Sequence, residues 1–171
     1  FVRAMAYSDL IGLFCTAYDP ATAGAALGVP LYLHYREGDG STVIKPRATL
    51  QQSYAQVLAD LDAAESLVTR NGSDTPFVTI GAVYALKARI YLMMCNWQQA
   101  VDYATKVINS NYKLYDDAVS NPYPAYTRYA QLFMGDNGEN AAARKEIILP
   151  IRCDGATSRS YGGSIYVIAS T

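Results

Sequence analysis

The sequence is short of the residues from which most catalytic and metal centres are built. Its 171 residues include one histidine, His34, and three cysteines, Cys15, Cys95 and Cys153. No two cysteines stand at metal-ligand spacing, and an odd number leaves at least one outside any internal disulfide. Cys15 and Cys95 fall within or at the end of apolar helical stretches, so buried free thiols are expected. A thiol nucleophile needs a base, and only His34 is on offer; a lone histidine near a short extended run reads as a packing or surface residue. Phosphate-cradling glycine loops, HExxH and GxSxG are absent, so no metal and no cofactor are expected. Only Glu146 among the carboxylates sits in a segment that predicts burial, so a two-carboxylate hydrolase has no visible pair. There is no excess of charge of either sign: 17% of residues are charged, ordinary for a folded protein, and the net charge is −1, which removes the electrostatic case for nucleic acid or an anionic membrane surface. The most apolar stretch, Ile80 to Cys95, carries Lys87 and Arg89 and is too short to span a bilayer.

What is plentiful is tyrosine, fifteen residues against one Trp and four Phe. Its apolar ring and polar tip suit half-wet helix packing and binding sites. The chain is organised around Tyr84 to Ile108. Ile80 to Cys95 is apolar almost all round and predicts a buried helix. Asn96 tolerates the left-handed backbone of a helix end and caps the next helix, with Gln99 completing a weak capping box. Trp97, Ala100, Val101, Ala104, Val107 and Ile108 then mark one face at period 3.6. Two helices so closely spaced fold back as an antiparallel pair. Tyr84, Ala88, Tyr91, Trp97 and Ala100 stand at tetratricopeptide (TPR) spacing and are the expected helix-packing core, with small residues at 88 and 100 for close approach.

Elsewhere, Phe1, Met5, Leu10, Leu13 and Phe14, with Ala4 and Ala6, predict a largely buried helix over 1–14. Residues 16–48 read as loop: Tyr18, Asp19 and Pro20 open a turn, Leu31 to Tyr35 is a short extended run, and 37–41 is a glycine-rich turn. Thr49 with Gln52 forms a capping box for a helix over 50–69. Its stripe is Leu50, Tyr54, Val57, Leu58, Leu61, Ala64 and Val68, and Asp60, Asp62 and Glu65 are expected on a solvated face. Residues 111–171 read as loops with a few extended segments. They hold the tyrosines 112, 115, 123, 126 and 129, a loop at 134–139, an extended 146–152 and a turn at 162–164. The fold class is therefore mainly α: TPR-like antiparallel helix pairs with long loops and a few short extended segments.

The order of FVRAMAYSDLIGLF, a Tyr-Asp loop ending GVPLYL, PRATLQQSYAQVLADLDAAESLV, AVYALKARIYLMMCNWQQAVDYATKVI, NYKLYDD and KEIILPIR resembles the SusD/RagB family of outer-membrane glycan-binding lipoproteins. The resemblance runs from Phe1 to about Arg152. It implies a partial SusD-like domain over 1–171, an N-terminal-to-middle portion of a protein roughly three times longer, since both ends look cut. It implies a surface-exposed, outer-membrane protein, held by a lipid anchor outside this sequence. Such a protein binds oligosaccharide without cleaving it and acts as the lid of a SusC-like TonB-dependent transporter. Family members place glycan-contacting residues after the first helix, which here points to Tyr18 and Asp19. The competing expectation is a TPR-type adaptor gripping a peptide or protein, for which Lys87 and Arg89 are the only candidate cations in the hairpin.

Overall fold

The computed structural model describes residues 1–34, 44–71, 77–115, 127, 129–130, 143–150 and 166–167. The turns expected at 37–41, 134–139 and 162–164 lie outside the described residues, as do Tyr123, Tyr126 and Cys153. The described chain is mainly α. Its helices are α1 (Val2–Phe14), α2 (Leu50–Leu67), α3 (Ile80–Met93) and α4 (Trp97–Ile108). A single 3-10 turn covers Ala143–Glu146. The extended segments are reduced to two short strands, β1 (Leu149–Pro150) and β2 (Tyr166–Val167), antiparallel with Leu149 opposite Val167. Residues 31–34 belong to no strand. The chain forms two compact units, residues 1–67 with 86–101 and residues 68–85 with 102–171.

In the first unit α1 packs on α2. The buried stripe of α1 is Ala4, Tyr7, Ser8 and Ile11, a regular i, i+3, i+4, i+7 face. This corrects the expected set: Leu13 and Phe14 are 76% and 67% exposed. Hydrophobicity misjudges this helix because two of its inward residues carry hydroxyls whose hydrogen bonds are met. The Tyr7 hydroxyl donates to the Tyr32 carbonyl (3.0 Å) and accepts from the Tyr32 N–H (2.6 Å), and Ser8 Oγ donates to the Met5 carbonyl. Their small neighbour Ala4 leaves room for α2 to approach. On α2 the expected stripe is largely present, with Leu50, Tyr54, Val57, Leu61 and Ala64 buried and Ser53 added. A fully buried aliphatic side chain of this kind stabilises by about 1.5–3 kcal/mol.

The acidic face of α2 is not simply solvated. Asp60, with 9% of its side chain exposed, receives Arg3 Nε and Nη2 at 2.6 Å each, a forked pair, and Gln56 Nε2 at 2.9 Å. Glu65 and Asp62 both pair with the Lys87 ammonium, which is 1% exposed; the Asp62 contact is 2.5 Å. A lysine at an inward position of α3 must neutralise its charge inside the packing. Two acidic residues three apart on one helix supply that. The rest of the inward side of α3 in this unit is Leu86 and Ile90, while Arg89 and Leu92 are exposed. From Leu86 to Leu92 the helix thus has a buried side and an exposed one.

In the second unit Thr79 caps α3: its Oγ1 accepts from the Ala82 N–H at 3.2 Å and lies 2.8 Å from the Tyr112 hydroxyl. The Tyr112 ring lies so close over Gly81 that a Cβ there would come within 2.3 Å of it. Tyr84 on α3 and Tyr103 on α4 have ring centroids 6.0 Å apart. Lys106 Nζ sits 4.2 Å from the Tyr103 centroid and 5.0 Å from that of Tyr84. The start of α3 therefore lies beside the end of α4, the antiparallel arrangement expected. Half-buried Glu146 accepts the Tyr115 N–H at 2.7 Å.

Two predictions follow from the ion pairs. Asp60 sits below the usual carboxylate range, chiefly because Arg3 hydrogen-bonds its charged form. A depressed carboxylate contributes stability that is complete above about pH 4, its unfolded range, and is lost as pH falls through the folded value. Asp60→Asn should therefore flatten the acid limb of a pH–stability curve measured by urea unfolding; since Arg3 is 45% exposed, the loss at neutral pH should be held to about 1 kcal/mol. For Lys87, removing Asp62 and Glu65 together (both to Ala) should cost about 3 kcal/mol. Lys87→Met should cost under about 1 kcal/mol, because a buried charge deprived of partners is worse than a buried apolar chain. Equal losses in the two variants would contradict this.

Candidate functional site

The loop after α1 is bonded to the start of α2, and this positions the site. The first N–H groups of any helix lack partners within it. Here the Leu50 N–H donates to the Ala26 carbonyl (2.8 Å) and the Gln51 N–H to the Ala23 carbonyl (3.0 Å). The Gln52 N–H donates to Thr49 Oγ1 (3.1 Å), while the Thr49 N–H donates to Gln52 Oε1 (3.0 Å), the expected capping box in full. The loop's own backbone thus supplies the helix cap. Buried Ser53 adds a second tie, accepting the Val29 N–H at 3.1 Å and donating to the Thr49 carbonyl at 2.9 Å. Between them runs Gly28, whose N–H donates to the Ala48 carbonyl at 2.7 Å. A Cβ on Gly28 would lie 2.1 Å from Ser53 Oγ and 2.5 Å from the Thr49 carbonyl oxygen, so only glycine fits that crossing. Arg47 Nε donates to the Gly28 carbonyl at 2.6 Å, and its Nη2 reaches the Phe14 carbonyl at 3.2 Å.

Tyr18 and Asp19 stand at the entrance to this anchored loop. The Asp19 carbonyl accepts from Thr22 and Ala23, and its Oδ1 accepts the Ala21 N–H at 2.9 Å, so the side chain starts the turn it stands in. Half-buried Tyr18 packs edge-to-face on Tyr54, ring centroids 5.1 Å apart at 84°. Burial pushes the Tyr54 phenol above its ordinary value, so the ring behind Tyr18 stays neutral at physiological pH.

Opposite Tyr18 lies the corner between α3 and α4. Cys95 carries the left-handed backbone (φ 58) expected of Asn96. Asn96 instead caps α4, its Oδ1 accepting the Gln99 N–H at 3.4 Å, a long bond that fits a weak box. Cys95 is exposed and Cys15 half-buried, a correction to the buried thiols expected. Arg47 Nη2 lies 3.8 Å from Cys15 Sγ, and His34 is exposed.

Tyr18 and Pro20 on one side, and residues 94–98 on the other, line a shallow depression of about 490 Å³ open to solvent. Asp19 does not line it. Of the expected hairpin core, Ala100 is buried and Tyr84, Ala88 and Tyr91 are half-buried. Trp97 is the correction: it is 61% exposed and lines the pocket. Val101 and Ile108, on the face expected to pack, are also exposed, at 59% and 69%. Sequence reading missed Trp97 as a site residue because the pocket joins segments some 75 positions apart, a juxtaposition no local spacing carries. It likewise gave no signal for the anchoring roles of Arg3 and Arg47. Among the described residues no three His, Cys, Asp or Glu side chains gather as a metal site, and no helix is long and apolar enough to cross a membrane.

The described residues thus combine an antiparallel helical hairpin with an anchored, tyrosine-bearing loop. The comparisons place the chain more closely. A model of SusD-like proteins, described as "Starch-binding associating with outer membrane", matches residues 1–92, and the chain belongs to that family. Starch-binding protein SusD of Bacteroides thetaiotaomicron is 45% identical over 86 residues, 50% of this chain and 14% of that protein. A solved SusD superfamily protein of the same organism is 27% identical with a TM-score of 0.70, over 90% of this chain and 30% of its own. One from Bacteroides fragilis, also 27% identical, gives 0.63 over 91% and 32%. The chain thus spans about a third of the solved relatives it resembles and a smaller share of SusD.

Proposed function

We propose that this chain is part of one SusD-like domain that captures oligosaccharides at the outer membrane, exposed at the cell surface, and passes them uncleaved to a SusC-like TonB-dependent transporter. The observation that carries the proposal is the family match over residues 1–92, the stretch that contains α1, the anchored loop and α2. The geometry supports a binding role. Tyr18 is held in place by a loop whose backbone caps α2, and a preorganised aromatic at an open pocket loses little conformational freedom when a sugar ring stacks on it. In this reading Tyr18 is the contact and Asp19 holds the turn that aims it. The adaptor alternative loses one of its two candidate cations, because the Lys87 ammonium is already committed to Asp62 and Glu65.

Titration calorimetry of the chain with maltoheptaose, followed by chromatography of the sugar, tests the proposal. Saturable binding with the sugar recovered at its original length is expected, and Tyr18→Ala should weaken it severalfold, the loss of one aromatic contact of about 1 kcal/mol. Hydrolysis of the sugar would contradict the non-catalytic reading. Unchanged affinity in Tyr18→Ala would remove the loop from the site.

A further inference from the structure

The segment from Cys15 to Leu27, which carries Tyr18, is tied at both ends by one side chain. We propose that Arg47 is a positioning residue for ligand capture: its guanidinium joins the end of α1 to the far end of this segment, and through that tie it fixes Tyr18 and sets the affinity of the site. The proposal rests on the oligosaccharide-capture reading above and adds to it a residue that acts without touching the ligand.

Three observations carry it. The first lies at the end of α1. The last carbonyls of a helix have no partners inside it, and a cation is favourable there. α1 has no basic residue in its last turn and closes on Cys15 in extended backbone. Arg47, 33 residues away in sequence, supplies the cation: its Nη2 donates to the Phe14 carbonyl at 3.2 Å and lies 3.8 Å from Cys15 Sγ. The second is the fork. The same guanidinium reaches the other end of the segment, Nε donating to the Gly28 carbonyl at 2.6 Å and Nη2 to the Leu27 carbonyl at 3.3 Å. A planar guanidinium holds its donors in fixed directions, so residue 14 and residues 27–28 are held at a set separation. Ala48, the next residue, accepts the Gly28 N–H at 2.7 Å and donates to the Val29 carbonyl at 3.1 Å, so the backbone that presents Arg47 is itself fixed. The third is the choice of partners. Among the described residues no carboxylate pairs with Arg47, whereas Arg3 and Lys87 both hold carboxylates. A cation whose described partners are three carbonyls and a thiol shapes the course of the chain. With both ends fixed, the segment has less conformational freedom to lose when Tyr18 meets a ligand.

A double-mutant cycle with Tyr18 tests the proposal, because a residue that serves the fold alone would change affinity equally with or without that ring. Arg47→Ala should weaken calorimetric binding of maltoheptaose severalfold, nearly as much as Tyr18→Ala, and keep the parent's circular dichroism. In the Tyr18→Ala background the same change should alter affinity by less than about twofold. Arg47→Lys keeps the stem and the charge but loses the planar fork; it should bind like Arg47→Ala, and it carries the cycle should Arg47→Ala not fold. A readout free of sugar is the contact between the Tyr18 and Tyr54 rings, which should give NMR cross-peaks in the parent that weaken in both Arg47 variants. Parent affinity in Arg47→Ala with the ring cross-peaks retained would overturn the proposal and leave the capture reading intact. Equal losses with and without Tyr18 would overturn it as well, since Arg47 would then act on the framework alone. Parent affinity in Arg47→Lys would overturn the requirement for the fork. Absence of binding by the parent to maltoheptaose and to other neutral oligosaccharides alike would bring down the capture reading, and the role of Arg47 in affinity with it.

Discussion

The first turn of α2 is the constraint on which the described site depends. A helix that begins after a loop presents N–H groups with no partner of their own, and burying them unmet costs about 1–3 kcal/mol each. Here the same loop that would otherwise wander supplies the acceptors, through the carbonyls of Ala23 and Ala26 and the hydroxyl of Thr49. The exchange works in both directions. The helix gains its cap, and the loop gains a fixed course, tightened by Ser53 and by the absence of a side chain at Gly28. Tyr18 inherits its position from this arrangement rather than from a strand or helix of its own.

Charge is used in the same economical way. Several of the charged side chains act as fasteners. Arg3 joins the start of α1 to Asp60 and to the Leu33 carbonyl. Arg47 collects carbonyls from the loop and the end of α1. Lys87 is buried between two carboxylates of α2. With these cations bound to the framework, the pocket is lined by uncharged side chains, Tyr18, Pro20 and residues 94–98.

Much of this was legible in the sequence, for identifiable reasons. The helices announced themselves through period and caps: the Thr49–Gln52 box is formed as read, and Asn96 caps α4. What was not legible depends on partners far apart in the chain. Tyr7 and Ser8 face inward because hydrogen bonds, some to residue 32, satisfy them, and no hydrophobicity pattern predicts that. Asp62 and Glu65 looked like a solvated face until Lys87 was set opposite. Trp97 looked like hairpin filling, yet it is largely exposed while Ala100 is buried. The left-handed residue fell one position earlier than expected, on Cys95, which left Asn96 free to cap.

Whether the loop and the helix start open as one unit can be read from native-state amide hydrogen exchange at Leu50, Gln51 and Val29. If the loop is the cap, these amides exchange as slowly as those in the interior of α2, opening only when the helix does. Exchange at rates near those of an unprotected chain would show that the loop lifts off independently, and would contradict the account of how Tyr18 is held.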